Sequence, residues 1–189
     1  MINFEDHIQD IRDKRHWWTR VDVDYNWDKM MYLVDTHPPE LYDWNRNKQR
    51  LSLNSCHLRP SAPSFAKKIQ EEMYNFFAEP APKKHADEYE KGAPNVTNIA
   101  FIGFGQNSDS YPRHADKMDV FLVQVLSETK ITIGYTENPS NEDDVRMMKP
   151  GDAVWLPRGT WHQLEPKTSR VTFSFGFESD MDCNPADFI

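Results

Sequence analysis

With 189 residues the chain is long enough for one domain with a proper core and short for two. Its composition, 38% hydrophobic and 13% aromatic with six Trp and eleven Phe, excludes a disordered chain, which lacks the apolar side chains that offset ordering entropy. A formal net charge of −8 argues against a nucleic-acid partner, and two cysteines without a CxxC exclude a disulfide framework or a Cys-rich zinc site. The opening segment MINFEDHIQDIRDKR is polar and charged, unlike a secretory leader. No apolar run approaches the roughly 18 residues of a spanning helix. A cytoplasmic protein without membrane association is expected.

In chain order, Phe4, Ile8 and Ile11 recur at helical spacing, as do Trp27, Met30, Met31 and Val34. Ser64 is placed to cap a third helix, FAKKIQEEMYNFF, with Phe65, Ile69, Met73, Phe76 and Phe77 along one face. Pro38-Pro39 and the stretch 80–94 are breaks, the second a polar, Lys/Glu-rich connector. Residues 1–97 therefore read as helical or irregular.

From Asn98 the pattern changes. NIAFIGF, DVFLVQVL, KITIGYT, DAVWLP and RVTFSFGF are short apolar or alternating runs separated by turn signals such as ENPSNEDD and KPGD. Several short strands without helices between them predict an antiparallel sandwich or barrel over 98–189. The expected fold is mainly β, a cupin-like or jelly-roll barrel with N-terminal helices packed on its outside. The whole forms one compact domain.

The chemistry is expected at His114, Asp116 and His162. If 114–116 is extended, residues i and i+2 point the same way, so an imidazole and a carboxylate converge. His162 follows DAVWLP and the turn RGTW, where a side chain reaches a barrel mouth. Two imidazoles and one carboxylate on one face leave coordination positions open, the facial triad of non-haem Fe(II) oxygenases. The same tripeptide at His85-Ala86-Asp87 has charged neighbours and no strand signal, and reads as a solvated loop. The GFG at 103–105 lacks the strand-turn-helix setting of a phosphate loop. Gln124 and Trp161 read as packing residues.

The run HADKMDVFLVQ at 114–124, followed by KPGDAVWLPRGTWH at 149–162 and VTFSFGF at 171–177, resembles the JmjC and cupin-like branch of the 2-oxoglutarate oxygenases. Within it the pattern is most similar to bacterial ribosomal oxygenases and asparaginyl hydroxylases. The resemblance covers about 98–177 and implies a double-stranded β-helix that uses Fe(II), O₂ and 2-oxoglutarate to hydroxylate or demethylate a substrate. By analogy that substrate is a protein side chain.

The family anchors the far carboxylate of 2-oxoglutarate with a cation on the strand after the HxD strand. The matching position here is Thr129, with Lys130 next; a one-residue shift reverses a strand's face unless a bulge absorbs it. Arg170, eight residues after His162, is a second candidate, close to where the prolyl hydroxylase branch keeps its arginine. It shares a strand face with Thr172 and Ser174. Tyr111 stands where related enzymes place a hydroxyl donor. The polar segment GQNSDSYPR at 105–113 is expected at the substrate cleft. Two other readings remain at this point: a metallo-cupin enzyme of the isomerase type, and a non-catalytic cupin binding module.

Overall fold

A computed structural model of the chain describes residues 2–56, 59–78, 95–105, 108 and 110–178. A turn of 3₁₀ helix at Phe4–His7 runs into α1 (Ile8–Arg12), and α2 (Trp27–Thr36) and α3 (Ser64–Ala78) follow. The strands are β1 (Trp17–Arg20), β2 (Tyr42–Asn45), β3 (Arg50–Asn54), β4 (Asn95–Gly103), β5 (His114–Ala115) and β6 (Asp119–Leu126). They continue as β7 (Thr129–Gly134), β8 (Asp144–Met148), β9 (Asp152–Leu156), β10 (Trp161–Pro166) and β11 (Arg170–Glu178).

They form two antiparallel sheets, a seven-stranded one in the order β1-β9-β6-β11-β4-β3-β2 and a four-stranded one in the order β5-β10-β7-β8. From β6 onward the chain passes between the sheets, β6 to β7–β8, back to β9, over to β10 and back to β11. That is a jelly roll of the cupin kind.

The larger sheet has two different faces, and strand parity explains both. On β11, Val171, Phe173, Phe175 and Phe177 point outward. They join Ala100, Ile102, Phe121, Val123 and Trp155 in a core closed by Phe4, Met30, Leu33, Phe65, Ile69 and Met73 from the helices. α2 begins where the Asn26 side chain accepts the Lys29 amide, 2.9 Å, and stops before Pro38-Pro39. The inner face meets the smaller sheet through Val120, Leu122, Ile131, Ile133, Met148, Val154, Leu156 and Leu164. β6 lies between β9 and β11 and is buried along its whole length, which is why DVFLVQVL reads as a continuous run rather than an alternation.

The helical or irregular reading of the first half needs correction. β1, β2 and β3 come from it, β1 pairing with β9 and the β2–β3 hairpin extending the sheet beyond β4. β5, β8 and β10 were not read as strands either. These pieces are short, two to six residues, and β1, β3 and β5 take partners distant in sequence, so a local side-chain pattern is a weak signal for them. The connector 80–94 and the decoy His85-Ala86-Asp87 lie outside the described residues.

Candidate metal centre

β5 and β10 pair so that His114 stands directly opposite His162, with ring centroids 4.4 Å apart. Asp116 follows β5 and turns its carboxylate between them. His114 Nε2 is 3.7 Å from Asp116 Oδ1, and His162 Nε2 is 3.6 Å from Asp116 Oδ2. One donor atom from each residue lies within 4.8 Å of the other two. A metal bonded to each at about 2.1 Å would hold neighbouring donors about 3 Å apart, so only a slight closure is required.

Both imidazoles are oriented from behind. Nδ1 of His114 is 2.8 Å from the Pro112 carbonyl, and Nδ1 of His162 is 3.1 Å from the Thr160 carbonyl. A carbonyl only accepts, so each Nδ1 carries the proton and each Nε2 offers its lone pair to the centre. Burial, with a smaller contribution from neighbouring cations, holds His162 below the ordinary histidine range and favours this neutral form, against the raising effects of the Thr160 carbonyl and Asp116. The loop between β9 and β10 is tied to the centre through its backbone. Gly159 N–H donates to the Asp116 carbonyl, 2.9 Å, and Arg158 N–H donates to the buried Asp119 carboxylate, 2.6 Å. The residues therefore fit a resident divalent metal, with three neutral or anionic N/O donors on one side and a cavity on the other.

That cavity, about 410 Å³, lies inside the barrel between the sheets. Met118, Val120, Leu122 and Leu164 make an apolar wall, and the triad, Tyr111, Thr172, Arg170 and Arg50 supply polar groups. A mostly apolar site with a few convergent polar groups, of this size, suits a small molecule. Arg170 is 2% exposed and donates through Nη1 to Thr172 Oγ1, 3.0 Å, which donates to Gln124 Oε1, 2.7 Å. Gln124 Nε2 in turn holds the Leu126 and Ser127 carbonyls in the β6–β7 turn. The relay requires Gln124 and Thr172 on one face, and they are direct partners in the regular β6–β11 register, the bulge falling just beyond them between Thr172 and Val171. Burial, reinforced by Arg50, pushes the Arg170 guanidinium down to about 10, still a full cation at neutral pH.

The two candidate cations separate cleanly. Arg170 and Thr172 line the cavity. Lys130 does not; it points to the outer face of β7 and pairs with Glu165 across the β7–β10 ladder. Thr129 has the inward parity of Ile131 and Ile133 and is fully buried, but it is not part of the cavity wall. Tyr111 is 41% exposed at the mouth, with its ring 5.5 Å from that of His114. Of the segment 105–113, Ser110 and Tyr111 line the cavity, while 106, 107 and 109 lie outside the described residues.

Arg50 is the residue that sequence reasoning missed. It opens β3, is 4% exposed, and stacks its guanidinium over the Tyr111 ring at 3.9 Å. The alternation in RLSLN was the available signal, with Leu51 and Leu53 in the outer core and Arg50 and Asn54 in the cavity.

Comparison with known proteins agrees with this fold. The family model for the JmjC domain matches residues 66–184. Solved structures of YcfD, a ribosomal oxygenase from Escherichia coli, superpose with a TM-score of 0.64 at 11% identity for a complex with cobalt and succinic acid. The complex with cobalt and 2-oxoglutarate gives 0.63 at 13%. In both cases 95% of this chain is covered but 52% of the other, so the chain spans about half the length of these structures. A search of curated proteins found no match. With well over half of its residues matched by the family model and a His-Asp-His centre inside a jelly roll, the chain belongs to the JmjC domain family.

Proposed function

We propose that the protein is an Fe(II)- and 2-oxoglutarate-dependent oxygenase that hydroxylates a protein side chain or a small molecule. The observation that carries this reading is the coexistence, in one cavity, of a His₂Asp face and the buried cation Arg170. Fe(II) and 2-oxoglutarate together supply the chemistry, in which O₂ oxidises the cosubstrate to succinate and CO₂ and places its second oxygen atom in a substrate C–H bond.

The chain's own residues orient and select. His114, Asp116 and His162 would hold the metal from one side, leaving the cavity side open. Arg170 would grip the distal carboxylate of the cosubstrate, with Thr172 and Gln124 fixing the guanidinium so that little ordering is left for binding. Leu122, Leu164 and Val120 keep water from the space between metal and cation. The relatives of similar fold bound to cobalt and 2-oxoglutarate support the choice of cosubstrate.

The test is anaerobic addition of Fe(II) with and without 2-oxoglutarate to the purified chain. A weak visible charge-transfer band that needs both is expected, followed by succinate formation on admitting O₂. Metal binding without any such band would favour a metallo-cupin of another reaction type.

A further inference from the structure

The oxygenase reading uses one buried arginine, and the cavity contains two. Arg50 on β3 and Arg170 on β11 are both in register with Gly103 of the intervening strand β4, so they flank it on the same face. Only glycine fits between them, because the space a Cβ would take is filled by the Ser108 side chain, whose Oγ it would meet at 2.4 Å, with Arg170 Cγ at 3.5 Å. Nε and Nη1 of Arg50 and Nε of Arg170 are buried without a hydrogen-bond partner. Among the described residues no carboxylate lies within ion-pair distance of either guanidinium. A buried unpaired cation is costly, and two that repel each other are more so, unless an anion completes the site.

We infer that Arg50 is a second anion anchor, and that the molecule oxidised in this cavity presents a carboxylate to it. The inference rests on the oxygenase reading for the role of that molecule, though not for the anion itself. Charge supports it. A divalent metal, the Asp116 carboxylate and two guanidiniums sum to three positive charges, of which 2-oxoglutarate neutralises two. One positive charge remains, and it is Arg50 that carries it. Position supports it too. Arg50 is buried beneath the Tyr111 ring, which also neighbours His114, whereas Arg170 is held by the Thr172–Gln124 relay. A carboxylate with an apolar body fits the Arg50 cation and the apolar wall of Met118, Val120, Leu122 and Leu164 that shares its cavity.

The experiment uses the whole chain loaded with Mn(II) and saturating 2-oxoglutarate without O₂, titrated with acetate, hexanoate and benzoate and with the matching amides. The same titrations with Mn(II) alone separate the anchor from the cosubstrate. Carboxylates are expected to raise the melting temperature and to bind at least tenfold more tightly than their amides. Arg50→Gln should erase that contrast while weakening 2-oxoglutarate by less than threefold, and Arg50→Lys should restore part of it. Because Arg50→Gln removes a buried charge that no carboxylate among the described residues pairs, its melting temperature without ligand should match or exceed the parent's, so folding is not in question. An acid-terminated hexapeptide and its C-terminal amide form the last arm. If only the peptide discriminates, the carboxylate is a polypeptide's; if the small acids do, it is a free acid's.

The proposal is overturned if no carboxylate outcompetes its amide in either loading state. It is also overturned if Arg50→Gln weakens 2-oxoglutarate as much as Arg170→Gln does, which would make both arginines one cosubstrate clamp. Absence of 2-oxoglutarate binding with the carboxylate contrast intact would instead remove the oxygenase reading and leave the Arg50 anchor standing.

Discussion

At the scale of single residues, the triad is defined by what stands behind it as much as by its donors. The Pro112 and Thr160 carbonyls fix the two tautomers, so His114→Ala or His162→Ala should abolish stoichiometric Mn(II) binding, measured by calorimetry, in a folded chain. His85→Ala should bind like the parent. Full occupancy in the His162→Ala protein would disprove the triad. The burial of His162 has a second consequence, in the metal-free protein. Its folded pKa lies below the ordinary 6.5, so as pH falls through 6.5 the unfolded chain takes up the proton first. Stability contributed by neutral His162 is therefore complete above 6.5 and declines below it. Denaturant midpoints at pH 7.5 and 5.5 should differ, and His162→Gln should shrink the difference.

At the scale of elements, strand parity decides which cation can act. Lys130 lies on the outer face of β7 in a half-exposed pair with Glu165. Such pairs are worth about 0–1 kcal/mol. Lys130→Ala should therefore change neither the melting temperature nor 2-oxoglutarate affinity appreciably. Arg170→Gln should raise the dissociation constant for 2-oxoglutarate by roughly 10- to 100-fold, the loss of a charge-assisted bond of about 1.5–3 kcal/mol. Equal effects at both positions would refute the assignment. The β6–β11 bulge belongs to the same argument. It follows the regular Gln124–Thr172 pair and lets the successive residues Val125 and Leu126 both turn to the outer core, and nothing in it carries Lys130 inward.

At the scale of the whole molecule, the helices serve the site through the opposite face of the larger sheet. Phe173 is fully buried between Tyr25, Phe65 and Phe175, one residue from Thr172, which belongs to the cavity. Phe173→Ala should cost about 3–5 kcal/mol of stability, read from chemical denaturation, because the cavity it leaves has helices on one side and a paired strand on the other. Mn(II) stoichiometry of the fraction that remains folded should be unchanged, since the triad sits on the smaller sheet and its flanking loop. A variant that lost metal in proportion to stability would show instead that the two sheets do not hold their geometry separately.

What the sequence determined by itself is local. Apolar runs and their turns placed β6 at its observed boundaries and located β4, β7, β9 and β11 to within a few residues, because burial of those strands is written in their side chains. The spacing of 114 and 116 put two candidate donors on one face, and the alternation of RVTFSFGF put Arg170 and Thr172 on another. Tertiary structure decided the rest. That His162 faces His114 follows from β5 pairing with β10, two short segments whose contact is backbone hydrogen bonding across more than forty residues of chain. Arg50 enters the cavity only because β3 joins β4 beside β11, and no pattern within RLSLN reveals that neighbour. Side-chain periodicity reports which face is buried; it does not report against what, and a cavity with two arginines is a statement about neighbours.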